Sequence, residues 1–393
     1  MAGPLEGLKI LDFTTLLPGP YATTLLADLG AEVLRVVSPF RPDLTNFYPP
    51  FLPGGDVSAV AAYLGRGKRS ISLNLKNSAA APVVKRLIGT YDILIEQFRP
   101  GVMAKLGLGY EDLAKDCPAL VYCSLTGYGQ TGPLAARAGH DINFLARSGL
   151  MSYSGKKESG PSLAGMQIAD VAAGSNHAVI GILAAVIHRG RTGSGQQIDV
   201  SMTDGAFAFN AMAGAAFLVD GKDPQREEGF VNGGSLYDFY ETKDGGYLAV
   251  GAIEPPFFAE FCTAIGRPEW ISGGFSPENI KETKILVRRI IQAKTRDEWT
   301  AIFAGKDTCV DPVLSLREAV EDPHTKARGL VADVALADGG TVRQIACPIR
   351  FSETQPVCGK TGEKPGVDTE AILREAGYAE EEVRAFRTDG LFS

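Results

Sequence analysis

The chain has 393 residues, enough for two lobes with sizeable cores. Its 45% hydrophobic and 22% charged residues exclude a disordered class. The 39 basic and 46 acidic residues leave a net charge of −7, which excludes a global nucleic-acid footprint but not a local basic patch for a phosphorylated ligand.

The elements follow in chain order. Leu8–Phe13 reads as a buried strand, Tyr21–Leu29 has helical spacing after the Leu16–Pro20 turn, and Glu32–Val37 reads as a second strand. This strand–helix–strand unit with short connections predicts a parallel sheet. Ser70–Leu75 is a third strand, Ala79–Ile88 a helix, Asp92–Ile95 a fourth strand and Leu120–Leu125 a fifth. Repeated β-α units of this kind predict an α/β fold with an open, doubly wound sheet. Ala169–Arg189 reads as one long small-residue helix, Gln196–Val200 as a strand and Asp204–Val219 as a buried helix. The texture changes near Gly221. Leu236–Tyr240 and Tyr247–Ile253 flank KDGG as a hairpin, and helical segments follow at Pro256–Ile265, Lys281–Thr295, Asp297–Phe303 and Leu314–Glu321. These form a smaller α+β domain over 225–330. Strand-like Val331–Leu336 and Thr341–Ile349 then lead to a helical tail, Thr369–Ala376 and Glu380–Arg387, expected to return to the first lobe.

Only four histidines occur, His140, His177, His188 and His324, and none pairs with another at metal-ligand spacing, so no metal site is expected. Six scattered cysteines without a C-x-x-C pair read as reduced thiols. The start MAGPLEGLKILDF is unlike a signal peptide, no run of eighteen apolar residues occurs, and DGLFS carries no retention or peroxisomal tripeptide. The expectation is a cytoplasmic protein that does not span a membrane.

Gly127–Gly132, GYGQTG, matches G-x-G-x-x-G after a strand. A dinucleotide site also needs a helix opening there and an acid about 20 residues on, whereas Pro133 follows and Ser stands at 152. A glycine-permitted turn at a ligand-binding sheet edge fits better. Arg66, Lys68 and Arg69, with Arg99 and Lys105 farther on, are either solvated surface charge or holders of phosphates. His140 is either a hydrogen-bonded structural histidine or a proton carrier. Asp170 is either a helix N-cap or a carboxylate at the mouth of a crevice, able to act as base or nucleophile. Glu254, in GAIEPPFF, is an ordinary helix-start acid or a carboxylate that orients a histidine.

The segments LKILDFTTLLPGPYATTLLADLGAEVLRV, RGKRSISLNLK, IEQFRPGVMAKLGLGY, LVYCSLTGYGQTGP, IADVAAG and RTGSGQQIDVSMTDGAF, in this order, resemble the class III CoA transferases and α-methylacyl-CoA racemases. The resemblance covers nearly the whole chain. It implies a large, discontinuous Rossmann-like domain built from 1–220 and 331–393, without a dinucleotide. It also implies a small domain at 225–330 and an obligate homodimer of interlocked rings. GHDINF and GAIEPPFF resemble the racemase branch. Transferases generally lack that histidine, use the equivalent of Asp170 alone as a nucleophile, and often carry a small-domain glycine loop, for which Gly233-Gly234 is too short.

The implied activity is inversion of the α-carbon of 2-methyl-branched or 2-aryl acyl-CoA thioesters, without a prosthetic group. By resemblance, His140 serves the S epimer, Asp170 the R epimer, and Glu254 hydrogen-bonds His140. Backbone N–H groups near Asp170 are candidates to stabilise the enolate oxygen. CoA is expected along Lys68, Arg69, Lys76, Arg99 and Lys105, with Gln97 and Phe98 near its pantetheine or adenine end and Asp141 supporting the loop and the cofactor site. Phe144 stands where the racemase branch commonly has Tyr, so a hydroxyl is missing near the site. The rivals are a class III CoA transferase working through an Asp170 aspartyl-CoA thioester, and a non-enzymatic CoA-binding scaffold.

Overall fold

The computed structural model describes residues 3–273 and 279–392. The chain divides into two compact units, one of Met1–Ser148, Ala164–Phe209 and His324–Ser393, the other of Gly149–Leu163 and Asn210–Pro323. Relative to the expected boundaries, 149–163 and 210–220 fall in the second unit and 324–330 in the first.

The first unit is built on six parallel strands: β1 (Lys9–Phe13), β2 (Glu32–Val37), β3 (Lys68–Ser72), β4 (Ile93–Glu96), β5 (Val121–Thr126) and β6 (Gln196–Ser201). Their order is β3-β2-β1-β4-β5-β6. Every residue of β4 and β5 is buried, as expected of parallel strands covered on both faces. The core joins Leu11, Leu34, Ile71 and Leu94 to Ile372, Leu373, Val383 and Leu391 of the tail. The helices Thr369–Glu375 and Glu380–Thr388 thus pack into the sheet unit. A hairpin of β10 (Val331–Ala335) and β11 (Thr341–Ile345) belongs to the same unit.

The second unit carries an antiparallel sheet of β7 (Asp238–Glu241), β8 (Tyr247–Val250) and β9 (Val310–Pro312). Helices Pro255–Ala264, Ile280–Ile291 and Arg296–Phe303 supply a core around Tyr240, Phe261 and Trp299. The third strand, β9, is three residues long and ends in proline, too short to register as a pattern.

Four elements depart from expectation. In place of one buried helix over Asp204–Val219 there are two, Met202–Ala208 and Ala213–Asp220, and the second buries none of its residues. The first helix spans Pro18–Asp28, three residues earlier, because both prolines sit in its first turns, where a missing N–H costs nothing. Gly19 lies so close to Thr14 that a Cβ there would be 2.2 Å from the Thr14 Cβ. The third strand begins at Lys68 rather than Ser70, since the ladder with β2 pairs Val33 with Lys68. The long small-residue helix is two structures, a π-helical segment Ile168–Ser175 and an α-helix Asn176–Thr192. By length and composition this stretch, Ile168–Thr192, is the one helix among the described residues that is long and apolar enough to cross a membrane. Here it packs against β5, β6 and the helix Pro18–Asp28.

Arg66 is completely buried. Its Nε and Nη2 donate to both carboxylate oxygens of Asp28, at 3.0 and 2.6 Å, and Nη1 donates to Gln344 Oε1 and the Ile345 carbonyl. Removing one member of such a pair strands the other as a buried charge. Arg66→Ala is therefore expected to lower stability by about 3–5 kcal/mol, read from the urea unfolding midpoint.

Candidate active site

The strand order reverses between β1 and β4, and open α/β sheets bind ligands outside the carboxyl ends of their strands at such a point. A cleft of about 680 Å³ lies there. Its walls come from the loops after β1 (Thr15, Leu16, Pro18), β4 (Gln97–Pro100) and β5 (Thr126–Tyr128), and from His140, Phe144 and Asp170. Two carboxylates, Glu96 at the end of β4 and Asp199 within β6, hold these loops. Glu96 Oε2 accepts the Phe98 N–H at 2.8 Å, and Asp199 Oδ2 accepts the Gln130 N–H at 2.9 Å. Burial pushes the Glu96 carboxyl up to about 7.

Asp170 sits in the π-helical segment, where the widened turn changes the direction of side chains; such insertions recur at functional sites. It is not an N-cap. Its own N–H and that of Ala169 both donate to Asp141 Oδ1, at 3.0 and 2.6 Å. Asp141, 29 residues earlier, thus caps the segment through tertiary contact. This corrects the expectation that those amides serve the enolate oxygen, because Asp141 already occupies them. Burial, reinforced by the Asp141 charge, raises the Asp170 carboxyl to about 6, while the nearby His140 opposes the rise.

His140 is the N-cap of the helix Asp141–Arg147, and its N–H donates to Asn143 Oδ1 at 3.0 Å. It is solvent-accessible and faces the same cleft as Asp170. Phe144 fixes this corner. It is buried and meets the Tyr128 ring edge-on at 5.2 Å. A Cβ on Gly127 or Gly139 would come within 2.4 and 2.6 Å of the Phe144 ring. Gly127, the first glycine of the G-x-G-x-x-G lookalike, is therefore needed for packing against Phe144. The loop opens no helix: bends and turns over 127–136 give way to irregular chain up to His140.

The profile of CoA-transferase family III matches residues 5–369. Over 388 residues the chain is 35% identical to alpha-methylacyl-CoA racemase of Homo sapiens, covering 98% of this chain and 96% of that protein. Over 384 residues it is 35% identical to succinyl-CoA:glutarate CoA-transferase of Homo sapiens, covering 95% of this chain and 86% of that protein. The crystal structure of a CAIB/BAIF family protein from Brucella suis superposes with a TM-score of 0.84 at 30% identity, covering 96% of this chain and 100% of that one. The chain belongs to CoA-transferase family III.

For a family III chain, the positive groups that reach the cleft matter most. Of the basic residues expected to contact CoA, only Arg99 lines it, together with Gln97 and Phe98. Lys68 does not. Its ammonium is buried beneath the first helix, donating to the Pro20 carbonyl at 2.8 Å and Thr23 Oγ1 at 2.7 Å, with Asp12 Oδ2 at 3.8 Å. Burial depresses it to about 7. Arg69 is committed to Glu375 by two hydrogen bonds of 2.7 and 2.9 Å. Both are corrected from phosphate contacts to structural partners, because each already has a carboxylate close by. Lys76 and Lys105 are exposed and do not line the cleft. Sequence reasoning missed Arg41 and Arg137, which do line it. Arg137 stands three residues before His140, a signal that was available. Glu254 lies in the second unit, exposed, as the N-cap of Pro255–Ala264.

Proposed function

We propose that this family III enzyme inverts the α-carbon of 2-methyl-branched or 2-aryl acyl-CoA thioesters by 1,1-proton transfer. The observation that carries the reading is the opening of His140 and Asp170 onto one cleft. A thioester spreads α-carbanion charge into its carbonyl as an enolate, so inversion needs a base on one face and an acid on the other. With the S epimer, neutral His140 takes the α-proton and the C–H electrons move into the thioester as an enolate. Protonated Asp170 then returns a proton to the opposite face. With the R epimer the roles exchange. An ordinary aspartate would hold little proton near neutrality, so an Asp170 raised to about 6 suits both duties. Asp141 holds the Asp170 backbone, and Arg99, Arg41 and Arg137 offer charge to the CoA phosphates. A second copy completes the enzyme. Supporting this, the first unit leaves Ile180, Ile187 and Phe207 at least 59% exposed. Light scattering should then give twice the chain mass.

The test is (S)-2-methylbutanoyl-CoA in deuterated water. The α-hydrogen should exchange and chirality should erode; no exchange across a panel of branched and aryl thioesters sinks the reading. The similar identity to racemase and transferase relatives favours a second reading, a CoA transferase in which the Asp170 carboxylate attacks the thioester.

Titration of Asp170 has the same consequence in both directions. The R epimer needs Asp170 ionised with His140 protonated, and the S epimer needs the same single proton on Asp170 instead. Uptake of a second proton silences both forms, so kcat/KM from either epimer should fall together as pH drops below about 6. Asp141→Asn keeps an acceptor for the two amides but removes the like charge. That acid limb should shift to lower pH while staying above an ordinary aspartate, because burial is the larger cause.

A further inference from the structure

Leu16 has φ of 62°, a left-handed conformation uncommon for any residue other than glycine. Such a conformation persists where neighbours over-determine it, and these positions cluster at ligand sites. A glycine would adopt it without strain but would offer no side chain to the cleft that Leu16 lines.

What holds Leu16 is Asp43. The Leu16 N–H donates to Asp43 Oδ2 at 2.9 Å. The same oxygen takes Arg35 Nη2 of β2 at 2.6 Å, with the Arg35 and Asp43 side chains only 8% and 5% exposed. The other oxygen, Oδ1, accepts from Thr45 N and Thr45 Oγ1 at 3.0 and 2.8 Å. One nearly buried carboxylate therefore joins the loop after β1 to the loop after β2, and each loop delivers a side chain to the cleft, Leu16 and Arg41. Three residues past Leu16, the Gly19 N–H donates to Gln97 Oε1 at 3.2 Å, which continues the tie to the loop after β4.

We propose that Asp43 is a positioning residue that holds Leu16 in its left-handed conformation, and that the Leu16 wall so formed sets how tightly the cleft takes an acyl-CoA thioester. The inference rests on the acyl-CoA reading of the cleft. Asp43 acts through Leu16, so the two form one energetic unit and their substitutions are not additive.

The experiment is a double-mutant cycle of Asp43→Ala and Leu16→Gly, read two ways. Hydrogen exchange of the peptide covering residues 12–22 reports the Leu16 amide without any ligand. Calorimetry with CoA and with 2-methylbutanoyl-CoA reports binding. Asp43→Ala should strip protection from that peptide and weaken thioester binding about 10- to 100-fold, the equivalent of one hydrogen bond to a charged group. Leu16→Gly relieves the backbone strain, so its Tm should hold or rise while binding weakens. The double variant should bind no worse than Asp43→Ala alone. Additive losses, unchanged protection in Asp43→Ala, or wild-type affinity in Leu16→Gly would each overturn the inference. If Asp43→Ala does not fold, Asp43→Asn replaces it, keeping one acceptor and losing the charge, with a smaller loss in the same direction expected. A wild-type protein that binds neither CoA nor the thioester would instead sink the acyl-CoA reading and this inference with it, a result distinct from binding with an additive cycle.

Discussion

Asp170→Asn should lower turnover by about 100- to 10,000-fold while leaving acyl-CoA binding nearly intact. Asn is isosteric and keeps the packing of the π-helical segment. The Ala169 and Asp170 amides still donate to Asp141, so the local backbone should hold. What disappears is the only function that a carboxyl has there and an amide lacks: carrying a proton or attacking a thioester. Binding is spared because the cleft's positive groups, Arg41, Arg99 and Arg137, are untouched. In deuterated water the remaining His140 should still exchange the α-hydrogen of the S epimer without inverting it, while the R epimer becomes inert. Turnover within tenfold of the wild type would remove Asp170 from the chemistry in either reading.

The sheet was legible because its strands are short apolar runs separated by helices and glycine turns, and that pattern has few parallel-sheet solutions. The family resemblance, read from six ordered segments, is shown by the comparisons. The site was legible only in part. Residues next to each other in sequence, such as His140 and Asp141, could be placed on one loop. The cap that Asp141 makes on Ala169 and Asp170 could not, because it depends on how two distant segments cross. The same holds for Leu16 and Asp43, 27 residues apart. The basic cluster failed for a different reason. Lys68 and Arg66 look like surface charge, since lone lysines and arginines are almost never fully buried. Their partners, Asp12 and Asp28, lie on β1 and the first helix, and only the folded sheet shows that these acids take up the charge. In the sequence Phe144 stands out by the hydroxyl it lacks. Its packing against Gly127 and Gly139 also explains glycines that otherwise mimic a nucleotide loop.

His140→Ala separates the two chemistries. If the enzyme moves a proton, losing one of two groups stops inversion from either epimer, and chirality should persist through about 100- to 10,000-fold longer incubation. Exchange should split. Asp170 remains able to take the α-hydrogen of the R epimer and return deuterium to the same face, so deuterium should enter the R epimer without inversion, and the S epimer should not exchange. That asymmetry is the mirror of the Asp170→Asn result, and no loss of folding produces it. If the enzyme moves CoA, the attacking group is the Asp170 carboxylate, and His140 makes no bond to the migrating thiol. Transfer to an acceptor acid should then survive the substitution within about tenfold, which is 1.4 kcal/mol of barrier. Hydroxylamine should trap Asp170 only when a donor thioester is present. His140 is accessible and caps only the short helix Asp141–Arg147, its backbone N–H already bonded to Asn143. Truncating its imidazole therefore leaves that bond and the Phe144 packing in place, and a loss of inversion reports chemistry rather than collapse of the cleft.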